Sequence, residues 1–79
     1  MIPSELKGVL SQNPNIMSGS ICFIGTRIPV KILLDNTLDG VPILEFMDAY
    51  PDITSEQIQA VLRWQNDQTR KALGLEAAS

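Results

Sequence analysis

Prolines and glycines punctuate this chain at short intervals, and their placement restricts its fold more than any other feature. Pro14, Pro29, Pro42 and Pro51 each interrupt or start a segment, and Gly25 and Gly40 fall between them. Proline lacks a backbone N–H and holds φ near −65°, so it belongs at element starts and turns. Glycine adopts the left-handed backbone that ends helices and tightens turns.

Residues 3–12 read as a short helix. Ser4 can cap it, and Leu6, Val9 and Leu10 have i, i+3, i+4 spacing. Asn13-Pro14-Asn15 ends it, because a residue before proline avoids the helical region. Ile21–Ile24 is β-branched and aromatic, the composition of a strand. Gly25-Thr26 then predicts a two-residue type II′ turn, returning through Arg27-Ile28-Pro29-Val30. The returning strand must be short, and Pro29 suits the first turn of a helix instead.

That helix is expected from Pro29 to Leu38, with Val30, Leu33, Leu34 and Leu38 on one face and Gly40 ending it left-handed. Pro42 starts a second helix, with Ile43, Phe46, Met47 and Tyr50 aligned, and Pro51 stops it. Thr54-Ser55-Glu56-Gln57 has the form of a capping box. The third helix presents Ile58, Val61 and Leu62 inward. Its stripe turns polar at Gln65, Asn66 and Thr69, so the helix should leave the core after about Leu62. The expected organisation is an N-terminal helix and turn over 1–15, a hairpin plus helix-turn-helix domain over 16–73, and a flexible tail over 74–79. The fold class is mainly α, with a short N-terminal β-hairpin followed by three helices.

With 79 residues there is one domain at most. So small a domain buries only about 60–65% of its unfolded surface, and self-association is a common remedy for a thin core. The chain has no histidine. The commonest general base and the commonest zinc ligand are therefore missing. Carboxylate and lysine chemistry needs a pocket that so small a domain rarely encloses. The expectation is a protein that is not an enzyme and has no metal, cofactor or small-molecule substrate. The single cysteine, Cys22, has no partner for an internal disulfide and reads as a buried strand residue. No apolar run approaches a membrane span, and Met1-Ile2-Pro3-Ser4-Glu5 is unlike a signal peptide, so the expected location is cytoplasmic.

The runs Asn13-Pro14-Asn15-Ile16-Met17-Ser18-Gly19, Gly25-Thr26-Arg27-Ile28-Pro29-Val30 and Tyr50-Pro51-Asp52-Ile53-Thr54 together resemble domain of unknown function 433, a bacterial and archaeal family grouped with VapB-type antitoxins. The resemblance covers about residues 12–64. It implies a homeodomain-like helix-turn-helix behind an N-terminal hairpin. It also implies an antitoxin of a toxin-antitoxin system, encoded beside a PIN-type nuclease toxin. The family tends to have Pro-Val where Ile21-Cys22 stand and a Ser or Thr cap near Pro42; neither difference should alter the fold. The short tail, Leu75–Ser79, predicts no long toxin-wrapping extension.

In a helix-turn-helix the third helix reads DNA, with its N-terminal residues at base edges. The DNA-binding candidates are Ser55 for phosphate, Gln57 and Gln59 for adenine, and Arg27 for phosphate or an acidic partner. Against this, the net charge is −3, and Asp48, Asp52 and Glu56 have the wrong sign for a polyanion. Arg27 can equally pair with Asp35, Asp39 or a helix C-terminus. The partner-binding candidates are Arg63, Trp64, Arg70 and Lys71, beyond the inward stripe. Basic side chains entering a nuclease's metal-binding carboxylates would displace metal or neutralise the site. The plainer reading makes them a solvated face, with Trp64 folded back onto the hairpin as core. The leading expectation is an antitoxin-like binding module, dimeric, neutralising a PIN-type nuclease, with operator DNA as a second candidate ligand. A helix-turn-helix regulator with no toxin and a plain interaction domain are the alternatives.

Overall fold

The computed structural model describes residues 2–15 and 17–75. The chain opens with one 3-10 turn, Ser4–Leu6, and not with the expected helix over residues 3–12. Leu10–Gln12 is strand β1, paired antiparallel with β2, Ile21–Phe23. The register sets Leu10 opposite Phe23, Ser11 opposite Cys22 and Gln12 opposite Ile21. The i, i+3, i+4 spacing of Leu6, Val9 and Leu10 looks helical. In the fold, Leu6 is buried on the turn and Leu10 on the strand. Burial against the helices outweighs a weak local preference. The expected boundary at residue 15 therefore cuts through the hairpin.

The connection between the strands is held locally. Asn13 Oδ1 accepts from the Asn15 amide at 2.9 Å, and Gln12 Nε2 donates to the Gly19 carbonyl at 2.8 Å. A 3-10 turn, Met17–Gly19, leads into β2, with Ser18 at a φ of 56°.

The expected hairpin through Gly25 is present only in outline. The Phe23 amide donates to the Ile28 carbonyl at 3.0 Å, and Cys22 and Pro29 form a single bridge. Pairing stops there because Pro29 has no amide to donate and α1 begins at the next residue. Gly25 does carry a positive φ, 77°, but as the third residue of a turn closed by the Thr26 amide on the Phe23 carbonyl at 3.0 Å. A left-handed third residue is the pattern of a type II turn, in place of the expected type II′. Thr26 Oγ1 reinforces it, donating to Phe23 O at 2.8 Å and accepting from the Ile28 amide at 3.0 Å.

Three helices follow: α1 Val30–Leu38, α2 Ile43–Ala49 and α3 Ser55–Ala72. Pro29 and Pro42 sit at the N-caps of α1 and α2, one position before the first helical residue. Gly40, at a φ of 81°, ends α1 as expected. Its amide donates to the Thr37 carbonyl at 3.1 Å and that of Val41 to Asn36 at 3.0 Å, the paired bonds of a Schellman cap. The Thr54–Gln57 capping box forms in both directions at 2.9 and 3.1 Å. Gly74, at 71°, closes α3 with a second Schellman pair, Gly74 to Lys71 and Leu75 to Arg70. Of the expected flexible tail, Gly74 and Leu75 form that cap; residues 76–79 lie outside the described residues.

The chain is thus mainly α, a short N-terminal hairpin ahead of three helices. Its core joins Leu6 and Leu10, Phe23, Leu33, Phe46, Ile53, Ile58 and Val61. Phe23, Leu33 and Ile58 are the largest wholly enclosed side chains. Phe46 also stacks on Tyr50, ring centres 4.9 Å apart. Leu38, expected on the buried stripe of α1, is instead 86% exposed. It falls at the helix end, where Asp39 and Gly40 turn the chain away. Cys22 is buried, as read from sequence, with Sγ 3.6 Å from the Ser20 carbonyl. Among the described residues no helix is long and apolar enough to cross a membrane.

Candidate functional site

Seven of the eight candidate residues lie on α3, because this is the one helix that outruns the core. Its buried residues are Ile58 and Val61, in the first half. At 100° per residue, Ser55, Gln59, Arg63 and Arg70 fall within an arc of about 80° on the outer face. All four are exposed. Ser55, Glu56, Gln59, Ala60 and Arg63 line one shallow depression of about 300 Å³.

Gln57 does not join them. Its Oε1 accepts from the Thr54 amide at 2.9 Å, its own amide donates to Thr54 Oγ1 at 3.1 Å, and Nε2 donates to the Ile24 carbonyl at 3.2 Å. Both ends of the side-chain amide are thus occupied in fastening the start of α3 to the Phe23–Thr26 turn. Reading a base would require breaking the cap, so Gln57 is withdrawn as a DNA-binding candidate.

Arg63 borders a second groove, of about 260 Å³, between α3 and the N-terminal turn. Trp64, Asp67 and Lys71 line it from the helix and Glu5 from the turn. The structure therefore brings Arg63, Trp64 and Lys71 together and leaves Arg70 on the outer arc. Trp64 is half-buried and packs on the core cluster. Its Nε1 is buried with no hydrogen-bond acceptor, a local cost where a buried donor goes unmet. The indole thus packs between α3 and the N-terminal segment and also lines the groove beside Arg63. Its half-burial was open from the sequence, since position 64 lies roughly 100° off the core stripe of Ile58, Val61 and Leu62.

Arg27 is remote from α3's outer arc. It lies on the rim of an open hollow of about 730 Å³, with Gln12, Asn13, Thr26 and Asp52. It makes no ion pair with Asp35 or Asp39. Among the described residues the one ion pair is Lys31–Asp35, 2.6 Å, an exposed i, i+4 contact that holds the Lys31 ammonium above its usual pKa. Exposed pairs of this kind add little to stability.

The charges are segregated along the fold. From Ile32 to Leu62 the chain has Asp35, Asp39, Glu45, Asp48, Asp52 and Glu56, all exposed, and no lysine or arginine. This stretch includes all of α2 and the start of α3, the elements that meet DNA in a helix-turn-helix. Arg63, Arg70 and Lys71 then follow, exposed, with Asp67 as their acidic neighbour. No three Cys, Asp or Glu side chains converge as a metal-ligand set among the described residues. The carboxylates act as a negative field over this surface.

Two features escaped sequence reasoning. One is the joining of Glu5 to the α3 groove, which depends on how the N-terminal turn packs. The other is the exposure of Leu38 and Leu44, at 86% and 76%. For Leu44 a signal existed: it lies one residue off the Ile43-Phe46-Met47 stripe.

A comparison with curated proteins finds no match. Among solved structures, the chain is similar to a DUF433 member protein from Anabaena variabilis. The two are 25% identical with a TM-score of 0.66, and the match covers 99% of this chain and 87% of the other. The family model described as protein of unknown function (DUF433) matches residues 10–64, from the first residue of β1 to Trp64. That span holds the hairpin, α1, α2 and the buried half of α3, and on it the chain belongs to the DUF433 family.

Proposed function

We propose that this chain is an antitoxin-like, non-enzymatic binding module whose outer α3 face captures an acidic protein partner of the PIN-type nuclease class. One observation carries the reading. Arg63, at the edge of the packed half of α3, and Arg70 and Lys71, on the half that buries nothing, stand exposed, and no carboxylate lies within ion-pair distance of them among the described residues. Cations left unpaired on a rigid helix suit a partner that presents a carboxylate cluster. Arginine meets a carboxylate bidentately, and a cation entering a metal-binding site competes with the metal. The resemblance to VapB-type antitoxins supplies the class of partner.

Operator binding by the chain alone is disfavoured by the same charge map. Ser55 and Gln59 are exposed at the start of α3, but the surrounding 32–62 stretch offers a phosphate backbone only carboxylates. Phosphate contacts supply most nonspecific affinity. Any operator binding therefore belongs to the complex, in which the partner adds positive charge.

The test is calorimetry with the product of the gene adjacent to this chain's, which the reading expects to be such a nuclease. Replacing Arg63, Arg70 and Lys71 together by alanine should weaken binding by about 2 kcal/mol or more, as truncating buried charge contacts does. At concentrations where the chain is monomeric, its melting temperature should barely move. A triple variant that binds and inhibits like the parent sinks the reading. Specific nanomolar operator binding by the chain alone would favour the regulator instead.

A further inference from the structure

We infer that the corner joining α1 to α2 is a docking site for the C-terminal end of α3 from a second copy of this chain. The corner and the helix end are matched in two respects. Each shows a pair of exposed leucines: Leu38 and Leu44 at the corner, 86% and 76% exposed, and Leu73 and Leu75 at the end of α3, 66% and 46% exposed. Their charges are opposite. Asp39, Glu45 and Asp48 neighbour the corner leucines in sequence with no base between Lys31 and Arg63, whereas the bases nearest Leu73 are Arg70 and Lys71, with Asp67 before them and Glu76 after Leu75.

Isolated exposed leucines are ordinary on a small protein. These differ in being held by closed backbone. Leu38 directly precedes the Asp39–Val41 cap, fixed by two amide hydrogen bonds at 3.0 and 3.1 Å. Leu73 and Leu75 flank Gly74, whose cap is fixed in the same way at 3.2 and 2.8 Å. Leu38, Leu73 and Leu75 therefore sit on or beside fixed backbone, so association would order their side chains and little main chain.

The occupant is a second copy because each copy carries both halves of the match. A two-fold axis makes the contact twice in one closed dimer. It also covers apolar surface on a domain whose own core is thin. Each copy has a net charge of −3, so the copies repel at long range and attract only where corner meets helix end. That contrast predicts the direction of the salt effect. Screening a local attraction weakens the dimer, whereas screening net repulsion between copies held only by leucines would strengthen it.

The experiment measures molar mass by light scattering on the chain alone, over a concentration series and with rising NaCl. Its outcome therefore does not depend on whether a nuclease partner exists, although Arg70 and Lys71 serve both contacts, so a nuclease bound there would displace the second copy. The parent should form a dimer whose Kd rises with salt. Asp39→Lys with Glu45→Lys, and separately Arg70→Glu with Lys71→Glu, should each leave a folded monomer by circular dichroism. Mixing the two variants should restore a dimer. Leu38→Ala with Leu73→Ala should weaken the parent dimer about tenfold or more. A parent that stays monomeric, a dimer that survives either charge reversal or tightens with salt, or reversed variants that fail to recover on mixing would each overturn the proposal.

Discussion

From Ser55 to Trp64, α3 buries Ile58 and Val61, half-buries Ala60, Leu62 and Trp64, and is tied through Gln57 to the Phe23–Thr26 turn. From Gln65 to Ala72 the same helix buries no residue. Its internal support there is backbone bonding, one Thr69 hydroxyl on the Gln65 carbonyl at 3.1 Å, and the Gly74 cap. Short helices are marginal in water without tertiary packing. The outer half therefore persists as a continuation of a nucleus that the inner half anchors. The contrast separates positions that hold the fold from positions free to meet a partner.

The contrast breaks first at Ile58, which is fully buried. Ile58→Ala should cost about 2–5 kcal/mol through lost burial and a residual cavity. Urea unfolding would measure it, and a loss under about 1 kcal/mol would show that α3 is not anchored there.

The second test concerns the turn to which the inner half is tied. A Cβ at Gly25 meets no heavy atom within 4 Å, so the main cost of Gly25→Val is backbone strain at a φ of 77°. That conformation costs an L-residue about 1–2 kcal/mol. A thermal melt matching the parent would remove the left-handed assignment.

A smaller effect sharpens the tie itself. Gln57→Ala removes one arm of the capping box and the bond to the Ile24 carbonyl, for about 1 kcal/mol. Combined with Gly25→Val it should cost less than the sum, since both changes act on one contact. Strict additivity in a double-mutant cycle would mean that the turn and the cap are independent.

The smallest effect is expected on the outer half. Arg70→Ala and Lys71→Ala should each shift stability by less than about 0.5 kcal/mol. A larger drop in the melting temperature of the monomer would mean that these cations hold the fold, and would take them off the partner surface.

Elements whose signals are local were legible in the sequence. The Thr54–Gln57 box, the left-handed Gly40 and the proline-led starts of α1 and α2 each depend on a few adjacent residues, and each forms where the spacing places it. The pairing of β2 was not legible. Its main partner is Leu10–Gln12, thirteen residues away at Leu10↔Phe23. Nothing in the local pattern distinguishes that strand from the first turns of an amphipathic helix. The sequence analysis set Ser55 and Gln59 apart from Arg63, and the helix places the three on one face. Gln57 was misread because its acceptor, the Ile24 carbonyl, lies 33 residues away.

The sequence by itself determined the three helices, the ends of α1 and α2 and the absence of positive charge between Lys31 and Arg63, since these follow from residue type and short spacing. The tertiary structure decided which strand pairs with β2, that Trp64 is half core, and that Leu38 and Leu44 face solvent. The physical reason is that burial belongs to no single segment. It depends on which surfaces meet once the hairpin and helices are packed, and the same leucine spacing serves a buried face at Leu33 and an open one at Leu38.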